Sequence, residues 1–290
     1  MQFLFSGVTV GAVYALVAIG FNITYNATSI INLAQGEFVV IGGLMMWFFS
    51  ESLKLPFFIS VALTILTAGI IGLFMERLTI KPLKNPDLLL MIMITIAVSI
   101  VLRGILMFSF GKEPYVYPAF TEGEPVNIYG AIIQQQALWV IGITGFCIIL
   151  LFLFFKKTML GKAMLACAVH PTAAKLVGIN VSRMVMFSFI LSAIVGAIGG
   201  MAITPISLME YDKGPMLAVK GFCAAIMGGI GSNRGAVLGG FLIGVLESMT
   251  AGYIHSGSKD AVALVILLMI LFFKPSGLFV SKTMLDLRKF

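Results

Sequence analysis

The chain has 290 residues, of which 60% are hydrophobic and only 11% charged, and its mean hydropathy is +1.08. A water-soluble domain is about a quarter charged and cannot hide this much apolar surface, so the composition excludes a cytosolic enzyme fold, a disordered chain and a nucleic-acid binder despite the net charge of +7. The solvent is lipid, and at about 20 apolar residues per crossing the chain has room for about eight to ten spans and no separate soluble domain.

Apolar runs fall near 3–25, 32–50, 57–75, 88–110, 131–155, 184–204, 215–230, 235–254 and 260–273. They predict an all-α bundle of eight or nine transmembrane spans, one domain over 1–290. The first run lacks a basic leader and a small-residue cleavage site, so it is expected to stay as a helix.

Between the first two runs lie Asn22, Thr24, Tyr25, Asn26 and Thr28, followed by Ser29-Ile30-Ile31-Asn32-Leu33-Ala34-Gln35-Gly36-Glu37-Phe38. Lipid satisfies no backbone or side-chain hydrogen bond, so a polar stretch at membrane depth requires a broken helix facing a cavity or other protein. A substrate path lined by Asn22, Asn26, Asn32, Gln35 and Glu37 is one reading; a plain polar loop joining two spans is the other.

The stretch 156–183 has five basic residues and no acid, yet is rich in Ala, Leu and Met, which favours helix. Pro171 divides it. Residues 162–169 form one predicted short helix; Pro171 opens a second, capped by His170, which stops at Gly178. Such a small-residue helix suits a partner's groove, or the headgroup layer.

The run 215–230 is short, contains Lys220 and ends in Gly228, Gly229 and Gly231, so a half-span or re-entrant helix is expected. Gly235 to Gly239 and Gly240 to Gly244 follow as GxxxG spacings, which let helix backbones approach closely. Within the spans, Glu37, Arg103, Lys220 and Glu247 each cost about 2.5 to 3.5 kcal/mol at mid-bilayer on insertion scales and must face protein or water. Glu247 has Arg103 and Lys220 as available partners, and Arg234 belongs at the cytoplasmic end of its span.

Sorted by loop, the charges separate. Loops 76–87, 156–183 and 274–290 hold twelve Lys/Arg against three acids, whereas 51–54, 111–130, 205–213 and 255–260 hold four Lys against seven acids. The positive-inside rule makes the basic loops and the C-terminus cytoplasmic. If all nine runs cross, the N-terminus lies outside; if one is re-entrant, it lies inside. Cys147, Cys167 and Cys223 are far apart and read as packing residues, His170 and His255 lie on opposite sides and cannot share a metal, and no phosphate loop or hydrolase motif is present.

Thr172-Ala173-Ala174-x-x-x-Gly178 resembles the EAA-x-x-x-G coupling loop of ABC importer permeases, with threonine in place of glutamate. Gly161-Lys162-Ala163 through Gly178-Ile179-Asn180 is similar to the version in branched-chain amino acid permeases of the LivH type. Asn32-Leu33-Ala34-Gln35-Gly36-Glu37 resembles their INxAxGE signature, with Leu33 where an aromatic is frequent. The GGIGS element with Gly-Ala-Val-Leu-Gly-Gly, and Lys274-Pro275-Ser276-Gly277-Leu278-Phe279, resemble the family too. The resemblance implies a permease subunit, not an enzyme, in a bacterial inner membrane. It implies a second homologous permease, two cytoplasmic ATPases that use the ATP, a substrate-binding protein outside, and no cofactor on this chain. Gly161, Lys162, Ala166, His170, Pro171, Thr172, Ala173, Ala174 and Gly178 would touch the ATPase, and the Gly228 to Gly244 glycines would pack helices or meet the second permease. Branched-chain amino acids are the implied substrate, with urea or short amides as the alternative; an ion-coupled transporter or channel is the competing class.

Overall fold

The computed structural model describes residues 1–83, 87–121, 123–128, 130–274 and 277–279. Residues 84–86, 122, 129, 275–276 and 280–290 therefore lie outside the described residues, including part of the family-like ending and of the C-terminal basic cluster.

Eleven helices follow one another: α1 (Gln2–Thr28), α2 (Gln35–Trp47, continued by a π turn at Phe48–Ser52), α3 (Phe57–Met75, with a π turn at Glu76–Ile80), α4 (Leu88–Phe110), α5 (Gln135–Lys157), α6 (Met159–Val169), α7 (Pro171–Leu176), α8 (Val181–Ile203), α9 (Gly214–Gly228), α10 (Asn233–Tyr253) and α11 (Lys259–Phe273). Among the described residues seven are long and apolar enough to cross a membrane: α1, α3, α4, α5, α8, α10, and α11 taken together with the 3-10 turn Ser256–Ser258 that runs into it. Eight or nine spans were expected. The shortfall lies in the two runs with polar interruptions: the second becomes helical only at Gln35, and α9 has 15 residues, about 22 Å at 1.5 Å per residue.

The all-α expectation also needs one correction. Strand β1 (Val126–Ile128) pairs antiparallel with β2 (Ala131–Ile133), Val126 opposite Ile133, so the run 131–155 does not begin as helix. Gly130 turns the hairpin at φ 78° and donates its N–H to Asn127 Oδ1 at 3.1 Å. A three-residue apolar run carries no period that separates strand from helix.

α1 lies at the centre, against α8, α9 and α10, while α4 and α11 lie at the periphery and turn apolar side chains such as Phe108, 92% exposed, outward. The α1–α10 crossing is set by glycine. Gly7 and Gly11 on α1 face Gly240 and Gly244 on α10, and a Cβ on Gly11 would stand 2.9 Å from the Gly240 carbonyl. The other spacing of α10, Gly235 to Gly239, faces Gly228 and Ala224 of α9, where a Cβ would strike backbone. Both glycine faces of α10 thus pack helices inside the chain, the first of the two roles expected for them.

Hydrogen bonds define the two ends of the bundle. Gln2 exchanges bonds of 2.8 and 2.7 Å with the backbone of Ile132, and Tyr115 pairs with Met209, so the N-terminus shares an end with the acidic loops. At the other end, Glu76, Arg77 and Lys81 meet Asn180, Ser182 and Arg183 around one depression, and Lys156 and Arg234 both lie over the Phe152 ring at 5.5 and 5.6 Å. All three cysteines are buried and free, and burial pushes the Cys167 thiol up.

Lys220 settles the pairing of Glu247. Its Nζ lies 2.7 Å from Glu247 Oε1 and 2.7 Å from Asp260 Oδ1, while Tyr14 Oη donates to Glu247 Oε2 at 2.8 Å. The network joins α1, α9, α10 and α11 through an ion pair whose two side chains are 6% and 8% exposed. Removing one member strands a buried charge, so Lys220→Met is expected to destabilise the fold by about 3 to 5 kcal/mol. Lys220→Met combined with Glu247→Leu is expected to cost less than the single change, as read by thermal unfolding in detergent.

Candidate functional site

The α6–α7 pair is built by caps. Thr158 Oγ1 accepts from the Gly161 N–H at 3.0 Å to start α6, and Gly161 sits so tightly on the Phe154 carbonyl of α5 that a Cβ would not fit. The chain extends at His170, whose Nδ1 accepts from the Ala173 N–H at 3.2 Å, and Pro171 begins α7 with its φ already set. Gly178, at φ 86°, ends it, and two residues later Asn180 Oδ1 caps α8 on the Arg183 N–H at 3.1 Å. A six-residue helix is not stable alone. This one is held by its caps and by Ala174, buried against the body.

Of the nine expected coupling residues, Gly161 and Ala174 face inward, and Lys162, Ala166, His170, Pro171, Thr172, Ala173 and Gly178 are exposed. Two residues that sequence reasoning missed dominate the surface: Leu176 and Val177, 85% and 76% exposed. A signal existed, since a six-residue helix with one inward position must turn its other apolar side chains out. Leu165 and Val169 of α6 are exposed as well, so the two short helices turn four apolar side chains outward at the basic end of the bundle, and exposed apolar surface of this kind marks a partner.

The polar stretch is a break buried in protein. Ser29 leaves α1 in the left-handed conformation at φ 58°, and Ile30, Asn32 and Ala34 are buried without being helical. Asn22 donates Nδ2 to the Ser232 carbonyl at 3.0 Å and accepts the Gly231 N–H on Oδ1 at 2.9 Å. Asn26 Nδ2 donates to the Gly231 carbonyl at 3.1 Å. These two side chains hold the 229–232 turn, where Gly229 and Gly231 take φ 96° and 90°. Gln35 Nε2 donates to the Ser192 carbonyl of α8 at 3.1 Å and its Oε1 accepts from Ser192 Oγ at 2.5 Å.

The five expected path residues therefore do not converge on one point. Asn22 and Asn26 bind the α9–α10 turn, Gln35 binds α8, and among these five only Asn32 and Glu37 keep a buried atom without a hydrogen-bond partner among the described residues, Nδ2 and Oε2 respectively. Glu37 Oε1 accepts from Ser99 Oγ of α4 at 2.7 Å, and the Leu33 N–H reaches Thr95 Oγ1 at 3.3 Å. Thr95 and Ser99, which sequence reading overlooked, form a polar stripe on α4 with Arg103, four residues apart; the i, i+4, i+8 spacing was its signal.

A family model described as the permease component of branched-chain amino acid transport systems matches residues 3–273. The chain belongs to that family. It is 30% identical to the high-affinity branched-chain amino acid transport system permease protein LivH of Salmonella typhimurium, over 96% of this chain and 94% of the relative. It is 30% identical to the corresponding protein BraD of Pseudomonas aeruginosa, over 96% and 95%. A solved structure described as PsaBC from Streptococcus pneumoniae in complex with Fab aligns at TM-score 0.51 and 18% identity, covering 95% of this chain and 93% of that one, which shows a shared fold. The permease is a multi-pass membrane protein with a transport role.

Asn22→Ala would leave the Gly231 N–H and the Ser232 carbonyl without their partner and is expected to destabilise the purified permease by about 1 to 3 kcal/mol. The shift in its melting temperature in detergent measures this.

Proposed function

We propose that this permease is the membrane-spanning subunit of an ABC importer that moves branched-chain amino acids into the cell, driven by ATP hydrolysis in partner chains. The observation that carries the reading is the α6–α7 pair: two capped short helices that turn apolar side chains outward at the basic end of the bundle. Two cytoplasmic ATPases dock there, a second permease completes the path, and a binding protein delivers substrate to the acidic end. No cofactor belongs to this chain.

The charge distribution supports the orientation. With α2 and α9 counted as crossings, nine elements run between the ends, the N-terminus lies outside with Gln2 on the hairpin, and the C-terminus is cytoplasmic. Residues 161–178 are the coupling helices of a single permease domain. An ATPase-driven shift of α7 moves α6 and α8, which flank it in the chain, and through α6 the helix α5, and alternating access follows from the motion of α5 and α8 against α1 and α2. An ion-coupled carrier has less support, because Glu247 is already held by Lys220 and Tyr14. Branched-chain amino acids are the substrate class in the names of the relatives, and the same class is proposed here.

Leu176→Asp places a charge on the exposed face of α7 without touching a buried contact. It is expected to abolish co-purification of the ATPase subunits and ATP-dependent uptake while the melting temperature of the isolated permease stays that of the parent. Unchanged ATPase capture and uptake would remove the coupling role.

A further inference from the structure

The first turns of α2 and α9 meet inside the bundle. A Cβ on Gly36 would strike the Gly214 carbonyl, and one on Gly214 would strike the Glu37 carboxylate. Glu37 is fully buried there, with Oε1 bonded to Ser99 and Oε2 without a hydrogen bond. Asn32, also fully buried, bonds the Ala34 N–H through Oδ1 and leaves Nδ2 unpaired. A buried polar atom without a partner is costly and calls for an explanation. Arg103 of α4 stands one turn beyond Ser99 in the electrostatic field of Glu37, yet among the described residues it closes no ion pair with it.

An anionic acceptor at the start of α2, a neutral donor in the break before it and a cation one turn beyond Ser99 on the covering helix α4 complement a molecule that carries an ammonium and a carboxylate on adjacent atoms. Urea and sugars carry neither charge. In low dielectric a zwitterion is retained only where both its charges are met.

We propose that the break between α1 and α2, covered by α4, is a mid-membrane binding site for the charged backbone of an α-amino acid. Glu37 Oε2 accepts from the substrate ammonium, and Asn32 Nδ2 and the Arg103 guanidinium donate to its carboxylate. The structure holds this site closed, since Glu37 and Asn32 are covered. Its cover is α4, which touches α2 and α9 along one narrow seam and turns Ile105 and Phe108 outward. Withdrawal of that seam opens the site without unpacking the α1–α10 core. The proposal rests on the importer reading above.

The test uses the full complex in proteoliposomes, with radiolabelled leucine supplied on the binding protein. Wild-type uptake that does not depend on ATP would overturn the importer reading itself. With uptake established, Glu37→Gln and Arg103→Gln are each expected to slow it at least tenfold, and Glu37→Asp to recover part of the loss. Glu37→Gln also removes an incompletely paired buried charge, so its melting temperature is expected to rise. Wild-type uptake in the Gln variants, or a fall in melting temperature that accompanies the loss, would overturn the site. A second measurement needs no variant: photo-leucine trapped in the wild-type complex during turnover is expected to attach within 31–38 or 95–106, and attachment confined to other segments would overturn the site.

Discussion

Inside a bilayer every backbone amide must find its partner within the protein, because hydrocarbon offers none. An unbroken helix meets this requirement by itself; the segments 29–34 and 229–232, which leave helix where protein largely covers them, cannot. Asn22 and Asn26 of α1 supply bonds to the second, and Thr95 of α4 and the Asn32 carboxamide supply bonds to the first. The polar residues of this region therefore act first as substitutes for water, and the positions of α2 and α9 follow from them.

Between the breaks, contact replaces hydrophobic drive. Apolar side chains gain little by leaving lipid for one another, so backbone approach at Gly7, Gly11, Gly240 and Gly244 and the ion network at Lys220 hold α1, α9, α10 and α11 together. These features lie on the central helices. The peripheral α4 has a narrow seam and no glycine crossing, since a Cβ on Gly104 would meet nothing within 4 Å, and so it has little to lose on moving.

Much of this was legible before any coordinates. The bounds of α3 and α4 equal their apolar runs, because long apolar helices end where polar or Gly/Pro residues begin. The α6–α7 division at His170 and Pro171 also came through, since proline and a capping side chain act locally. The hairpin at 126–133 did not, because its strands are too short to show a period. Neither did the direction of the α10 glycines: spacing reveals a close approach but not who approaches. The bonds that Asn22 and Asn26 make to the 229–232 turn were not legible either, because composition cannot separate a polar side chain that binds a turn from one that lines a path or a loop.

The α6–α7 pair has little slack at either end. One residue, Thr158, separates α5 from α6, His170 alone separates α6 from α7, and α8 starts at Val181 from a turn closed by Gly178 and Asn180. A linker of flexible residues would absorb a push as internal rearrangement. Here mechanical compliance is low, and a displacement applied to α7 reaches α5 and α8 with most of its stroke intact. On the proposed importer reading the short joints make the loop a stiff lever, and a glycine-rich insertion beside Thr158 or Asn180 would separate motion at α7 from motion at α5 and α8 while leaving the helices intact.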